Sequence, residues 1–271
     1  MKLLRLISFV LMTMATVGAH ATRPEIIAHR GASAVAPENT VAAFKLAWEM
    51  GADAAETDVY LTADHEVVAI HDKTVDRTTG GQGAIKEMTL AQIRALDAGS
   101  WKGAKYAGEK IPTLAEVLAT IPEGKRFYLE IKDKKEIVPY LKPIIEKSGK
   151  KDRITIIAFD KEVLAAAHAA MPELATKWLR DSPKNKDGKG WAPIDPKFVA
   201  EAKAAGFGGL NVSHPGVTPE LIAAAKAQGM EVYAWTVDDP AAAARLVKMG
   251  VTGITTNAPD VMLKAFAAAK E

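Results

Sequence analysis

The sequence predicts a (β/α)8 TIM barrel, and three observations carry that prediction. Short β-prone runs alternate with alanine-rich helical runs eight times, in about 250 residues, the length such a barrel takes. The helical runs begin on capping residues and end on glycines. The open doubly wound sheet, the main alternative, would show a glycine-rich phosphate loop after an early strand. Neither GxGxxG nor GxxxxGK[ST] is present.

The first residues stand apart from that alternation. Lys2 and Arg5 give a positive start, Leu6 through Gly18 is apolar, and Ala19-His20-Ala21 places small residues before a cut ahead of Thr22. Residues 1–21 read as a signal peptide. The apolar run is shorter than the roughly 20 residues of a membrane span, so cleavage near Ala21 is expected rather than a stable membrane anchor. An exported location follows, periplasmic or secreted. The chain has no cysteine, hence no disulfide and no lipid-modified cysteine. Without the leader, lysines plus arginines equal aspartates plus glutamates at 33. That balance, with no long basic run, disfavours nucleic acid as a partner. Residues 22–271 fit one α/β domain.

Parallel strands are expected near 26–29, 54–59, 127–132, 154–159, 175–179, 208–212, 232–236 and 252–256. Asn39, Thr113, Asp160, Thr218 and Asp239 sit where a helix N-cap accepts an orphan backbone N–H. Pro219 and Pro240 follow such caps at the first helical position, where a missing donor costs nothing. Thr113 and Glu116 have capping-box spacing. Gly51, Gly149, Gly206, Gly229 and Gly250 fall at helix ends.

One β-prone run, 67–71, begins too soon after the second strand for a parallel crossover. It must be the returning arm of a hairpin that turns near Ala63-Asp64-His65-Glu66. A symmetric register sets Asp58 opposite His71 and brings His71 to the barrel mouth. Residues 72–113 then form an insertion too long for an ordinary loop. Trp101, Tyr106 and a helical pattern over 89–96 predict a small packed subdomain over the mouth.

Glu56 and Asp58 are two apart on a strand and share one face, as do Glu130 and Lys132 one barrel strand later. If those faces point inward, three carboxylates converge and repel unless a cation sits among them. Oxygen ligands suit Mg²⁺ or Ca²⁺ rather than zinc. His29 closes the first strand and His71 the hairpin. Phosphodiester cleavage needs a base for the nucleophile and an acid for the leaving alkoxide, and histidine serves both. Arg30 and Lys132 can offset charge on phosphate oxygens. His65 falls in the turn, His168 in a helix, and His214 after a late strand.

These residues carry a resemblance to the glycerophosphodiester phosphodiesterase family. The similar segments are His29-Arg30-Gly31, Pro37-Glu38-Asn39-Thr40, Glu56-Thr57-Asp58-Val59, His71-Asp72, Asp76-Arg77-Thr78-Thr79-Gly80, Leu129-Glu130-Ile131-Lys132, Trp235-Thr236-Val237 and Gly253-Ile254-Thr255-Thr256, in order along the chain. The resemblance implies a barrel with an insertion after the first hairpin. It implies hydrolysis of a small glycerophosphodiester to glycerol 3-phosphate and an alcohol, dependent on one divalent cation, Ca²⁺ or Mg²⁺. By position, His29 and His71 would be the acid–base pair and Glu56, Asp58 and Glu130 the metal ligands. Arg30 and Lys132 would contact phosphate, and Trp235 would line the glycerol end. Two positions depart from the family's pattern: Asn257 where an acid is common, and Ala158 where a serine is frequent. Two rival readings stand beside it, a phospholipase C- or D-like enzyme acting on lipid or lysolipid phosphodiesters and a non-catalytic glycerophosphodiester-binding protein. The sequence leaves open which histidine is the acid, and whether water or a glycerol hydroxyl attacks.

Overall fold

The computed structural model describes residues 23–268, so the predicted leader lies outside the described residues. Nine strands are present among the described residues: β1 (Glu25–His29), β2 (Ala54–Leu61), β3 (Val67–Ala69), β4 (Arg126–Ile131), β5 (Ile154–Ala158), β6 (Ala175–Arg180), β7 (Gly209–Ser213), β8 (Glu231–Trp235) and β9 (Gly253–Thr256). Eight of them pair in parallel in the order β1-β2-β4-β5-β6-β7-β8-β9, and β9 returns to β1. The barrel is closed, and each predicted parallel strand is found with ends shifted by one or two residues.

Strand parity divides the core in two. On β1, β4 and β8, Ile26, Ala28, Phe127, Leu129, Val232 and Ala234 face outward and pack against the helices. Ile27, Ala54, Tyr128, Ile157, Leu179 and Tyr233 face inward and fill the barrel. Burying each large side chain contributes roughly 1.5–3 kcal/mol, so this alternation fixes the register of every strand. His29, Glu56, Glu130, Asn211 and Thr255 are polar inward positions near the C-terminal strand ends, and with Ile157, Leu179 and Trp235 they line the mouth.

The helices around the barrel start and stop largely where local chemistry says. Thr113 and Glu116 make a complete capping box ahead of α3 (Leu114–Ala119). Asp160, Thr218 and Asp239 cap α5 (Lys161–Ala170), α7 (Pro219–Ala227) and α8 (Pro240–Met249), the last two with proline in the first turn. Gly149 and Gly250 close α4 (Val138–Ser148) and α8 in left-handed conformation. The exception is α1 (Val41–Glu49), whose cap is Thr40 rather than Asn39. Thr40 is extended and its hydroxyl accepts from Ala43 N at 3.2 Å, whereas Asn39 is left-handed, at φ 58°, and its side chain is engaged elsewhere.

The hairpin forms with a register one residue from the symmetric one. Val59 pairs with Ala69 and Leu61 with Val67, and Ile70 N donates to Asp58 O at 3.0 Å. Asp58 therefore lies opposite Ile70, not His71. The cause is the turn: Thr62 N donates to Glu66 O across a three-residue loop, with His65 left-handed at φ 63°. His71 lies beyond the paired segment and still reaches the mouth. In the insertion, α2 (Leu90–Ala95) carries a capping box from Thr89 and Gln92. A separate small core of Val68, Ile70, Val75, Ile85, Ile93, Ala98 and Ile111 holds it together. The expected aromatics are not in that core: Trp101 is exposed, and Tyr106 hydroxyl donates to Val35 O at 2.9 Å, tying the insertion to the loop after β1.

That loop depends on Gly31. Its φ is +80°, and a Cβ there would lie 2.6 Å from the backbone of Ala43. Gly31→Ala should cost on the order of 2–4 kcal/mol, measured as a lower chemical-denaturation midpoint. An unchanged midpoint would mean that the loop relaxes freely.

Candidate active site

Inward parity at the ends of β2 and β4 places Glu56, Asp58 and Glu130 together. One carboxylate oxygen from each lies within 4.8 Å of the others, and all three residues are buried. Glu56 Oε2 accepts from Arg30 N at 3.0 Å, and Asp58 Oδ2 accepts from Asn39 Nδ2 at 2.9 Å. Asn39 is itself oriented by Thr57, whose hydroxyl donates to its Oδ1 at 2.8 Å. The second oxygens, Glu56 Oε1 and Asp58 Oδ1, are buried without a hydrogen-bond partner among the described residues, as is Glu130 Oε1. Lys132 Nζ lies 3.0 Å from Glu130 Oε1 but outside hydrogen-bond alignment, and 3.9 Å from Asp58 Oδ1. Arg30 Nε is 3.2 Å from Asp58 Oδ2. Two fixed cations thus face three acids. Burial first, then the neighbouring carboxylates, push the Glu56 and Glu130 carboxyls above their ordinary range.

The two imidazoles have different partners. His29 Nδ1 is 2.8 Å from Asn257 Oδ1. That oxygen can only accept, so Nδ1 carries the proton and Nε2 keeps its lone pair. Asn257 is fixed by Asp238, which accepts from its Nδ2 at 2.6 Å and from its backbone N at 2.8 Å. The His29 ring keeps some solvent contact, yet the surrounding protein and then the Arg30 guanidinium lower its pKa to about 4. It is neutral near pH 7.

His71 instead faces an acid. Its Nδ1 is 2.6 Å from Asp72 Oδ1, and its Nε2 is 3.3 Å from Lys132 Nζ. The Arg77 guanidinium, which donates to Asp72 Oδ2 at 2.6 Å, holds the Asp72 carboxyl at about 2. Arg77 also donates twice to Glu38, and Glu38 accepts from Arg30 Nη1 at 2.9 Å. Burial alone would raise the Glu38 carboxyl, but Arg77 and Arg30 reverse this and bring it to about 2. A continuous ionic ladder therefore joins His71 to Asp58 through Asp72, Arg77, Glu38 and Arg30.

All of this opens into one cavity of about 290 Å³, at the small end of ligand sites. His29, Arg30, Glu56, His71, Glu130 and Lys132 form one wall. Ile157, Phe159, Leu179, Asp181, Asn211, Trp235, Thr236 and Thr255 complete the lining. Trp235 meets Phe159 edge to face at 5.6 Å, and its Nε1 donates to Asn211 O at 3.2 Å. The structure so gathers every residue the sequence singled out for the site; Asp58 lies just behind the charged wall. Sequence reasoning missed Asn39, Glu38, Arg77 and Asn257 as positioning residues, and Asn211 on the opposite wall. Asn211 had a readable sign, a polar side chain at an inward position of a buried strand.

A closed barrel whose mouth sets an acid cluster beside two imidazoles and two fixed cations suits chemistry at a phosphate ester. The profile of the glycerophosphoryl diester phosphodiesterase family matches residues 29–261, and the chain belongs to that family. It is 38% identical to a glycerophosphodiester phosphodiesterase of Caldanaerobacter subterraneus over 88% of this chain and 96% of that one. It is 33% identical to a glycerophosphodiester phosphodiesterase of Bacillus subtilis, over 88% of this chain and 85% of the other. Among solved structures, a phosphodiesterase of Oleispira antarctica in complex with the product sn-glycerol-3-phosphate superposes with a TM-score of 0.83 at 30% identity. That match covers 90% of this chain and 97% of the other.

Proposed function

We propose that the protein hydrolyses glycerophosphodiesters to glycerol 3-phosphate and an alcohol, with one divalent cation, Ca²⁺ or Mg²⁺, held by Glu56, Asp58 and Glu130. The observation that carries this reading is the cluster of three buried carboxylates beside His29 and His71, with Glu56 Oε1 and Asp58 Oδ1 left without a hydrogen bond among the described residues. All-oxygen donors fit a hard cation, and Asn39 and the Arg30 backbone already hold the other oxygens of Asp58 and Glu56 in place. When bound, the cation supplies Lewis acidity at a phosphate oxygen and orients the ester. With the acids compensated, Arg30 and Lys132 can turn their donors to the phosphate.

His29 is the general base in this reading, because its Nε2 lone pair is free and the ring is neutral. It takes the proton of the attacking group: water, which gives glycerol 3-phosphate directly, or the hydroxyl on the glycerol carbon next to the ester, which gives a cyclic phosphate that water then opens to glycerol 3-phosphate. The new P–O bond forms as the bond to the head-group oxygen breaks. His71, whose Nδ1 faces the Asp72 carboxylate, gives that oxygen a proton. Export with cleavage near Ala21 is part of the proposal, and sequencing the N-terminus of the secreted product tests it.

Incubation of the purified mature protein with glycerophosphocholine should yield glycerol 3-phosphate and choline when Ca²⁺ or Mg²⁺ is present, and neither product after EDTA. Activity untouched by EDTA would sink the cation. Release of phosphocholine would assign the cleavage to the other ester bond, and binding without turnover would make the protein a carrier.

A further inference from the structure

The cavity wall opposite the charged residues holds two polar atoms with nothing to bond. Asn211 Oδ1 and Thr255 Oγ1 are buried and have no hydrogen-bond partner among the described residues. Both residues line the cavity, and each is only 2% exposed. Strand register puts them at one depth: Thr255 pairs with Ile27, one inward layer below His29, and Asn211 pairs with Tyr233, one inward layer below Trp235. Below them Tyr128 and Tyr233, with ring centroids 5.6 Å apart, close the barrel. A buried polar group left without a partner costs about 1–3 kcal/mol. Two at one level of one cavity mark a place that a ligand completes.

The surroundings state what kind of ligand. Ile157, Leu179 and the Trp235 ring supply apolar faces. Neither Asn211 nor Thr255 is charged, so this level suits neither a phosphate nor an ammonium group. A half-turn of the carboxamide presents either its acceptor or its donors, and a threonine hydroxyl can do both. The matching group both gives and takes a hydrogen bond and sits on a short carbon chain, which describes an alcohol hydroxyl.

We propose that Asn211 and Thr255 form the subsite that reads the terminal hydroxyl of the glycerol end, the one farthest from the phosphate. The inference rests on the function proposed above, which puts the phosphate at Arg30 and Lys132. The polyol then extends from that wall down toward the floor. A substrate esterified at this hydroxyl loses the donor and meets the tyrosine floor, so a lysolipid carrying an acyl chain there is rejected. The reaction that supplies the substrate is accordingly an ester hydrolysis that frees that hydroxyl.

Two substrates test this: glycerophosphocholine, and its analogue lacking only the terminal hydroxyl while keeping the one next to the phosphate-bearing carbon. The wild-type protein should prefer the first in kcat/KM by roughly ten- to hundredfold. Asn211→Leu and Thr255→Val, close in size but apolar, should each erase most of that preference by slowing the first substrate and sparing the analogue. Thr255→Ser, which restores the hydroxyl, should restore the preference. Wild-type protein that treats both substrates alike, or Leu and Val variants that keep the full preference, would overturn the inference while leaving the proposed function standing. A chain that cleaves neither substrate overturns both. Unchanged melting of Thr255→Val separates lost recognition from lost fold, should Asn211→Leu unfold.

Discussion

Glu56→Gln should lose on the order of a thousandfold in turnover, about 4 kcal/mol, and yet melt at a higher temperature than the parent when both are stripped of metal. The two effects have one cause. Glu56 is buried against Asp58 and Glu130, and its carboxyl is raised well above the ordinary range. A raised carboxyl binds its proton more tightly in the folded chain than in the unfolded one. The fold therefore loses stability as pH rises above the unfolded value near 4.5. Glutamine removes that cost. Its carbonyl can still accept from Arg30 N, while its amide can donate to the carboxylates beside it. Two acids then face two fixed cations. The stability gain should be clear at pH 7 and vanish below about pH 4, where the parent's carboxyl is protonated in both states. The same change removes one anionic donor from the proposed cation site, so added Ca²⁺ should raise the parent's melting temperature and leave the variant's nearly unchanged. Equal stabilisation of both by Ca²⁺ would take Glu56 out of the ligand set. A metal-free variant less stable than its parent at pH 7 would mean that Glu56 is held by contacts stronger than the repulsion around it.

The parts that were legible in the sequence share a property: each is decided over a few residues. A capping box needs Thr113 and Glu116 only, and inward placement of Glu56 with Asp58 is arithmetic on one strand. What was not legible depends on distance along the chain or on one dihedral angle. Asn39 could be read locally as a helix cap, but its carboxamide serves Asp58, 19 residues away. Arg77 reaches Glu38 across 39 residues, and Asn257 reaches His29 across 228. The hairpin register turned on His65 adopting a left-handed conformation, which the polar turn sequence permits but does not require. Asn257 shows why the departures mattered in a way pattern alone did not express. A carboxylate at that place would draw the His29 ring toward its protonated form more strongly than the carboxamide does.

His29→Ala and His71→Ala should each keep the fold and each lose roughly 10²–10⁴-fold in kcat on glycerophosphocholine, but a change of leaving group should tell them apart. Choline is a poor leaving group whose oxygen needs a proton as the bond to phosphorus breaks. A p-nitrophenolate needs none. With glycerol 3-phosphate p-nitrophenyl ester, His71→Ala should recover most of its deficit, because the missing proton donor is no longer required. His29→Ala should stay slow with both esters, because the attacking hydroxyl still lacks its base. The partners of the two rings carry this assignment: a carboxylate lies against Nδ1 of His71, and a neutral carboxamide lies against Nδ1 of His29. Asp72→Asn extends the comparison. It removes the negative charge at Nδ1 of His71 and leaves a side chain of the same shape, so it should slow the choline ester far more than the nitrophenyl ester. Equal losses on both esters for His71→Ala would show that His71 does not protonate the leaving group. Recovery by His29→Ala instead would exchange the two roles and move the base to the His71–Asp72 pair.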